Sequence, residues 1–122
     1  VSCHNIEKSD GGVILTGAPE GRFSVSYHAL APRVSYAAWG SKPGDFRISN
    51  SEPVTQPDFF GARNSILMAL LRRGHENVFL PSPAWECLAT WMDANALFYG
   101  TFEPGDQARQ QHGELIAGPG LQ

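Results

Sequence analysis

The sequence predicts a mainly α, small helical domain with a long irregular, loop-rich insertion, and three observations predict it. Two segments in the second half repeat apolar residues at helical spacing. Of thirteen Gly and nine Pro, seven Gly and five Pro fall between Gly11 and Gly61, which predicts a loop-rich first half. The length of 122 residues fits one domain and leaves little room for a second.

The elements follow in chain order. Val1 to Asn5 and the polar residues behind them lead to Gly11-Gly12, a short apolar run Val13-Ile14-Leu15, and a turn at Thr16-Gly17-Ala18-Pro19. From Gly21 to Phe60 short β-prone pieces, Phe23 to Tyr27 and Val34 to Ala38, sit among Pro32, Pro43, Pro53 and Pro57. This is the insertion, with room for one short hairpin. Loops of such length are usually functional or packed on something large.

Asn64 or Ser65 can cap a helix reaching about Arg73, with Ile66, Leu67, Leu70 and Leu71 on its inner face. Arg72 and Arg73 in the last turn and Gly74 after it form a helix stop. The loop from His75 to Pro81 follows. Ser82 as N-cap, with Pro83 at the first helical position, opens a second helix. Its apolar face reads Trp85, Leu88, Ala89, Met92 and Ala96, so it should run to about Leu97. The tail, 101–122, is polar and is expected to be extended, leaving residues 1–100 as the domain proper.

Composition removes several function classes. The net charge is -3, and of nine basic residues only Arg72-Arg73 are adjacent, so no polybasic nucleic-acid surface is expected. The longest apolar run, Ile66 to Leu71, is far short of the roughly 18 residues a membrane span needs. There is no nucleophile elbow, no phosphate loop and no His-Glu-x-x-His. The N-terminus is neither a signal peptide nor an initiator Met.

The chemistry-bearing feature is at the start. Covalent haem attachment uses Cys-x-x-Cys-His: two thiols add to the haem vinyls, and the adjacent His binds iron. Val1-Ser2-Cys3-His4-Asn5 is that motif with its first Cys falling just before Val1. The chain therefore reads as a fragment of a larger exported, periplasmic-type protein. Alone, a Cys-His pair is also what an ordinary thiol beside an exposed His looks like.

The stretch Gly74-His75-Glu76-Asn77-Val78-Phe79-Leu80, then Trp85, Leu88, Trp91-Met92-Asp93-Ala94-Asn95-Ala96 and Phe98-Tyr99-Gly100, resembles the end of cytochrome c-like domains of planctomycete proteins. The likeness is to the C-terminal domain of proteins related to the hydrazine synthase alpha subunit. That family follows its Cys-x-x-Cys-His-Asn start with a Lys/Asp-Gly-Gly stretch, matched by Lys8-Ser9-Asp10-Gly11-Gly12. The chain departs from the pattern in lacking the first Cys and the helix before it. The resemblance implies a cytochrome c-like fold and haem c, bound through a Cys3 thioether with His4 as proximal ligand. In small c-type cytochromes the second axial ligand arrives on a loop before the terminal helix, and His75 occupies such a loop. With both axial positions filled by His, the iron passes electrons. The expected function is an electron-transfer domain serving other domains or subunits of its parent and a redox partner. Two other readings are a catalytic haem domain of a hydrazine synthase-like enzyme and a non-haem interaction domain.

Other candidates are weaker. His28 lies in the insertion beside Tyr27, and His112 in the polar tail. Met68 offers a thioether, but inside a helix Met more often serves the core. Cys87 reads as a small buried residue without a partner at attachment spacing. Trp85, Trp91 and Tyr99 are core or haem-packing aromatics. Arg22, Arg33 and Arg47 could meet propionates but read better as solvated charge. Zinc held by Cys3, His4 and His75 competes, although adjacent Cys-His is poor spacing for a tetrahedral site.

Overall fold

The structure is a computed structural model that describes residues 3–36 and 57–118. Among these residues, β1 (Pro19–Glu20) pairs antiparallel with β2 (Phe23–Ser24), and four α-helices follow: α1 (Val25–Leu30), α2 (Ile66–Arg72), α3 (Ser82–Asp93) and α4 (Pro104–Gln111). Three short 3-10 turns lie at Asp10–Gly12, Ala31–Arg33 and Ala62–Asn64. The fold is small and mostly helical, as expected. The chain divides into two compact units, Val1–Ala29 with Phe98–Gln122, and Leu30–Leu97.

The expected insertion is more ordered at its start than its composition promised. The piece Phe23 to Tyr27 is half strand and half helix, because α1 begins at Val25 directly behind the hairpin. Val34 to Ala38 is described only to Tyr36, and residues 37–56, with Pro43, Arg47 and Pro53, lie outside the described residues.

In the Leu30–Leu97 unit, α2 and α3 supply most of the core. Val34, Ala62, Leu67, Met68, Met92 and Ala96 form one buried cluster, with Trp85, Leu88, Ala89 and Trp91 packed against it. Burying a side chain such as Met68 or Met92 is worth about 1.5–3 kcal/mol. The α3 face is the expected one. The α2 face is rotated: Leu67 and Met68 are buried, whereas Ile66 is 55 % exposed.

Helix ends differ from expectation for identifiable reasons. At α3 the Pro81 carbonyl accepts from Ala84 and Trp85, so Pro81 is the cap and Ser82 is the first helical residue. At the other end α3 stops at Asp93 rather than about Leu97. Asn95 takes φ 70° and Ala96 φ 51°. The Asn95 N–H returns to Met92 O at 3.2 Å and the Ala96 N–H to Trp91 O at 2.9 Å, the paired bonds of a Schellman stop. Ala96 is still buried, but by the reversal and not by helical phase.

The segment around Gly61 is tied to α3 and to Ser35. Asp93 Oδ1 accepts the Ala62 N–H at 2.8 Å. Ser65, at the N-cap position of α2, makes no cap bond; it donates to Gly61 O at 2.7 Å and accepts the Ser35 N–H at 3.0 Å. Gly61 N–H in turn donates to Ser35 O at 2.8 Å. Gly61 has φ 82° and ψ -164°, a conformation essentially confined to Gly. A Cβ there would also run into the Asp93 carboxylate.

The other unit is built on rings and amides. Phe23 lies 4.8 Å from Tyr27 and 5.4 Å from Phe98, centroid to centroid, and Phe98 lies 4.8 Å from Tyr99. The tail from 101 contains α4, where an extended chain was expected. Pro104 opens the helix and Gln and Arg residues sustain it. Its glutamines, not an apolar stripe, tie it down. Gln107 Nε2 donates to Thr101 O at 2.8 Å, and Gln110 Oε1 accepts the Gly100 N–H at 3.2 Å. Gln111 Nε2 donates to Gly21 O at 2.9 Å and Phe23 O at 3.0 Å, clamping the hairpin.

Gly61→Ala should destabilise the Leu30–Leu97 unit by about 1–3 kcal/mol, read by urea unfolding. Asp93→Ala should cost about 1–3 kcal/mol by orphaning the Ala62 N–H. The two penalties should sum to more than the double variant loses, because removing the carboxylate makes room for the new methyl.

Candidate functional site

Cys3 and His4 belong to the Val1–Ala29 and Phe98–Gln122 unit, and both are half-buried. Behind them Asn5 closes a tight turn: its Oδ1 accepts the N–H groups of Glu7 at 2.9 Å and Lys8 at 2.7 Å. Asp10 N–H then donates to Cys3 O at 3.1 Å, and Leu15 N–H to His4 O at 2.8 Å. Gly11 and Gly12 have φ of 64° and 71°, which lets the chain reverse over a few residues. The reversal brings the Val13 carbonyl to 3.1 Å from His4 Nδ1.

That contact assigns the ring. A carbonyl oxygen only accepts, so Nδ1 carries the proton and the neutral imidazole keeps its electron pair on Nε2. Metal-binding histidines are commonly held this way, the second nitrogen donating to a backbone carbonyl. Cys3 Sγ is not in a disulfide.

His75 belongs to the Leu30–Leu97 unit. Gly74, with φ 86°, ends α2, and a turn from His75 to Val78 follows. The Val78 N–H donates to His75 O at 2.9 Å, while Glu76 and Asn77 take φ 48° and 57°. His75 is half-buried, and next to it Val78 is 49 % and Phe79 90 % exposed. The loop thus places a half-buried imidazole near exposed apolar surface.

The remaining candidates fall into place by environment. Met68 is 2 % exposed in the apolar cluster, where it serves the core. Cys87, expected to be buried, is exposed, because α3 turns its Trp85, Leu88, Ala89 and Met92 face inward and leaves position 87 outside. His28 is exposed and its Nε2 lies 3.1 Å from Glu20 O. His112 caps the end of α4 and is exposed. Tyr99 donates its hydroxyl to Arg22 O, and Trp91 Nε1 donates to Leu97 O at 3.0 Å. Arg22 is exposed and Arg33 half-buried, while Arg47 lies outside the described residues. Among the described residues no three His, Cys, Asp or Glu side chains gather to hold a metal ion, and no helix is long and apolar enough to cross a membrane.

The partner of His4 is a backbone atom, which side-chain reading misses. Gly11-Gly12 was the available signal, since paired glycines permit the return. No family model, no curated protein and no solved structure matches this chain.

Long-range proton–nitrogen correlation spectra at a pH where His4 is neutral should show its Nδ1–H tautomer, against the Nε2–H form that predominates in exposed histidines. An Nε2–H pattern would contradict the Val13 contact.

Proposed function

We propose that this chain is a c-type haem-binding, electron-transfer domain of a larger exported oxidoreductase. Cys3 provides the thioether, His4 the proximal imidazole and His75 the distal one. The observation that carries this reading is the His4–Val13 hydrogen bond at 3.1 Å beside an adjacent thiol. It leaves the electron pair of the neutral ring on Nε2, the atom that would bind iron, and a backbone acceptor on the other nitrogen raises ligand basicity. The adjacent thiol and imidazole of Cys3 and His4 fit haem c, which would supply a one-electron couple when bound. Two imidazole ligands leave no coordination position for a substrate, so electron transfer is favoured over catalysis at this domain. Exposed Val78 and Phe79 next to His75 are suited to cover the apolar face of a porphyrin. Export accompanies the reading, since covalent haem attachment takes place outside the cytoplasm, and electrons must come from a redox partner or another part of the parent.

The test is maturation of the chain, extended by one Cys ahead of Val1, in a periplasm that carries haem-attachment machinery. Mass spectrometry should find a haem adduct on the peptide containing Cys3. An intact, folded protein without the adduct would overturn the reading. In the loaded protein, His75→Ala should shift the absorption spectrum from low spin toward high spin and admit carbon monoxide readily. An unchanged low-spin spectrum would make another residue, His28 first, the distal ligand.

A further inference from the structure

The 3-10 turn at Asp10–Gly12 lies in the stretch of chain between His4 and its partner Val13. Asp10 is exposed, and of the five Asp in the chain it alone is followed by Gly. Its carboxylate makes a surface pair with Lys8 at 3.4 Å, both side chains being more than half exposed, which is a weak restraint. Gly11 takes φ 64°, and a Cβ built on it would meet nothing within 4 Å, so the backbone there stands in open space. Among the described residues the Gly11 N–H has no hydrogen-bond acceptor. A carboxyl and an uncommitted amide nitrogen one residue on thus face each other across a short path, with no side chain on Gly11 to obstruct their approach.

We infer that Asp10-Gly11 is a site of spontaneous isoaspartate formation, and that the conversion releases His4 from Val13. In the first step the Gly11 nitrogen bonds to Cγ of the protonated Asp10 carboxyl, and a carboxyl oxygen leaves with the amide proton as water. The product is a five-membered succinimide. Water then opens the ring. Breaking the bond between Cγ and nitrogen restores aspartate. Breaking the bond between the main-chain carbonyl carbon and nitrogen leaves the chain running through Cβ and Cγ. This isoaspartate has the mass of the starting residue, needs no oxidant, and adds one methylene to the backbone. The turn is fitted to the shorter chain: Asp10 N–H donates to Cys3 O at 3.1 Å, Gly12 N–H to Ser9 O at 2.9 Å and Val13 N–H to Asp10 O at 3.4 Å. After conversion the Asp10 oxygen that accepts from Val13 is no longer in the main chain. The register that brings the Val13 carbonyl to His4 Nδ1 is then lost.

The experiment is warm storage of the full chain at neutral pH for several weeks, with isoaspartate located by proteolysis and electron-transfer fragmentation. Isoaspartate should accumulate at position 10 and not at Asp58, Asp93 or Asp106, which precede Phe59, Ala94 and Gln107. Asp10→Glu, which keeps the charge but would need a six-membered ring, should stay unconverted. Asp10→Asn should convert faster, losing ammonia in place of water. In the converted fraction, proton–nitrogen spectra should show His4 shifted from the Nδ1–H toward the Nε2–H tautomer. No isoaspartate at position 10 after such storage would overturn the inference. So would a converted fraction in which His4 remains Nδ1–H.

Discussion

The Leu30–Leu97 unit depends on the close approach of Gly61 to Asp93. Only a residue without Cβ can take φ 82° there and let the Asp93 carboxylate reach the next N–H. Ser65 closes the same region from the other side by bonding both Gly61 and Ser35. The apolar cluster supplies most of the driving force, but it is non-directional. The polar contacts decide where the chain before α2 lies on α3, since each buried N–H must find an acceptor.

The other unit solves the same problem with a different currency of contacts. Its ring cluster around Phe23 and Phe98 is small, and α4 brings no apolar stripe to it. Three glutamines do the holding, satisfying backbone groups at Gly100, Thr101 and Gly21 and at Phe23 of β2. Hydrogen bonds of this kind contribute modestly one by one, about 0.5–1.5 kcal/mol, yet leaving their partners unmade costs more. The surface ion pair of Arg109 with Glu114 adds little, although Glu114 and then Asp106 raise the Arg109 guanidinium above its ordinary value.

The haem reading draws on the same logic of backbone acceptors. His4 acquires its Nδ1 contact from a turn that ends at Val13, built by Asn5 and two positive-φ glycines. His75 acquires its place from a helix stop and a tight turn, again with residues at positive φ. In both, loop conformation and not a regular element orients the imidazole.

The sequence by itself determined the mostly helical character, the inward face of α3, the α2 stop at Gly74 and the Cys-His pair, because apolar spacing and Gly placement are local signals. It left the core role of Met68 as the stronger alternative, and burial decides it. Only the tertiary structure decided the rotation of α2, the exposure of Cys87, the early end of α3 and the presence of α4. Ile66 and Met68 are both apolar, so which one faces in depends on what packs opposite. Ala96 keeps its buried place by leaving the helix, an outcome that periodicity reads as helix continuation. The glutamines of α4 have no hydrophobic pattern, and their meaning appears only when the carbonyls of Thr101, Gly21 and Phe23 are in reach. The Val13 carbonyl that orients His4 is likewise carried by every residue type, so only the path of the chain could identify it.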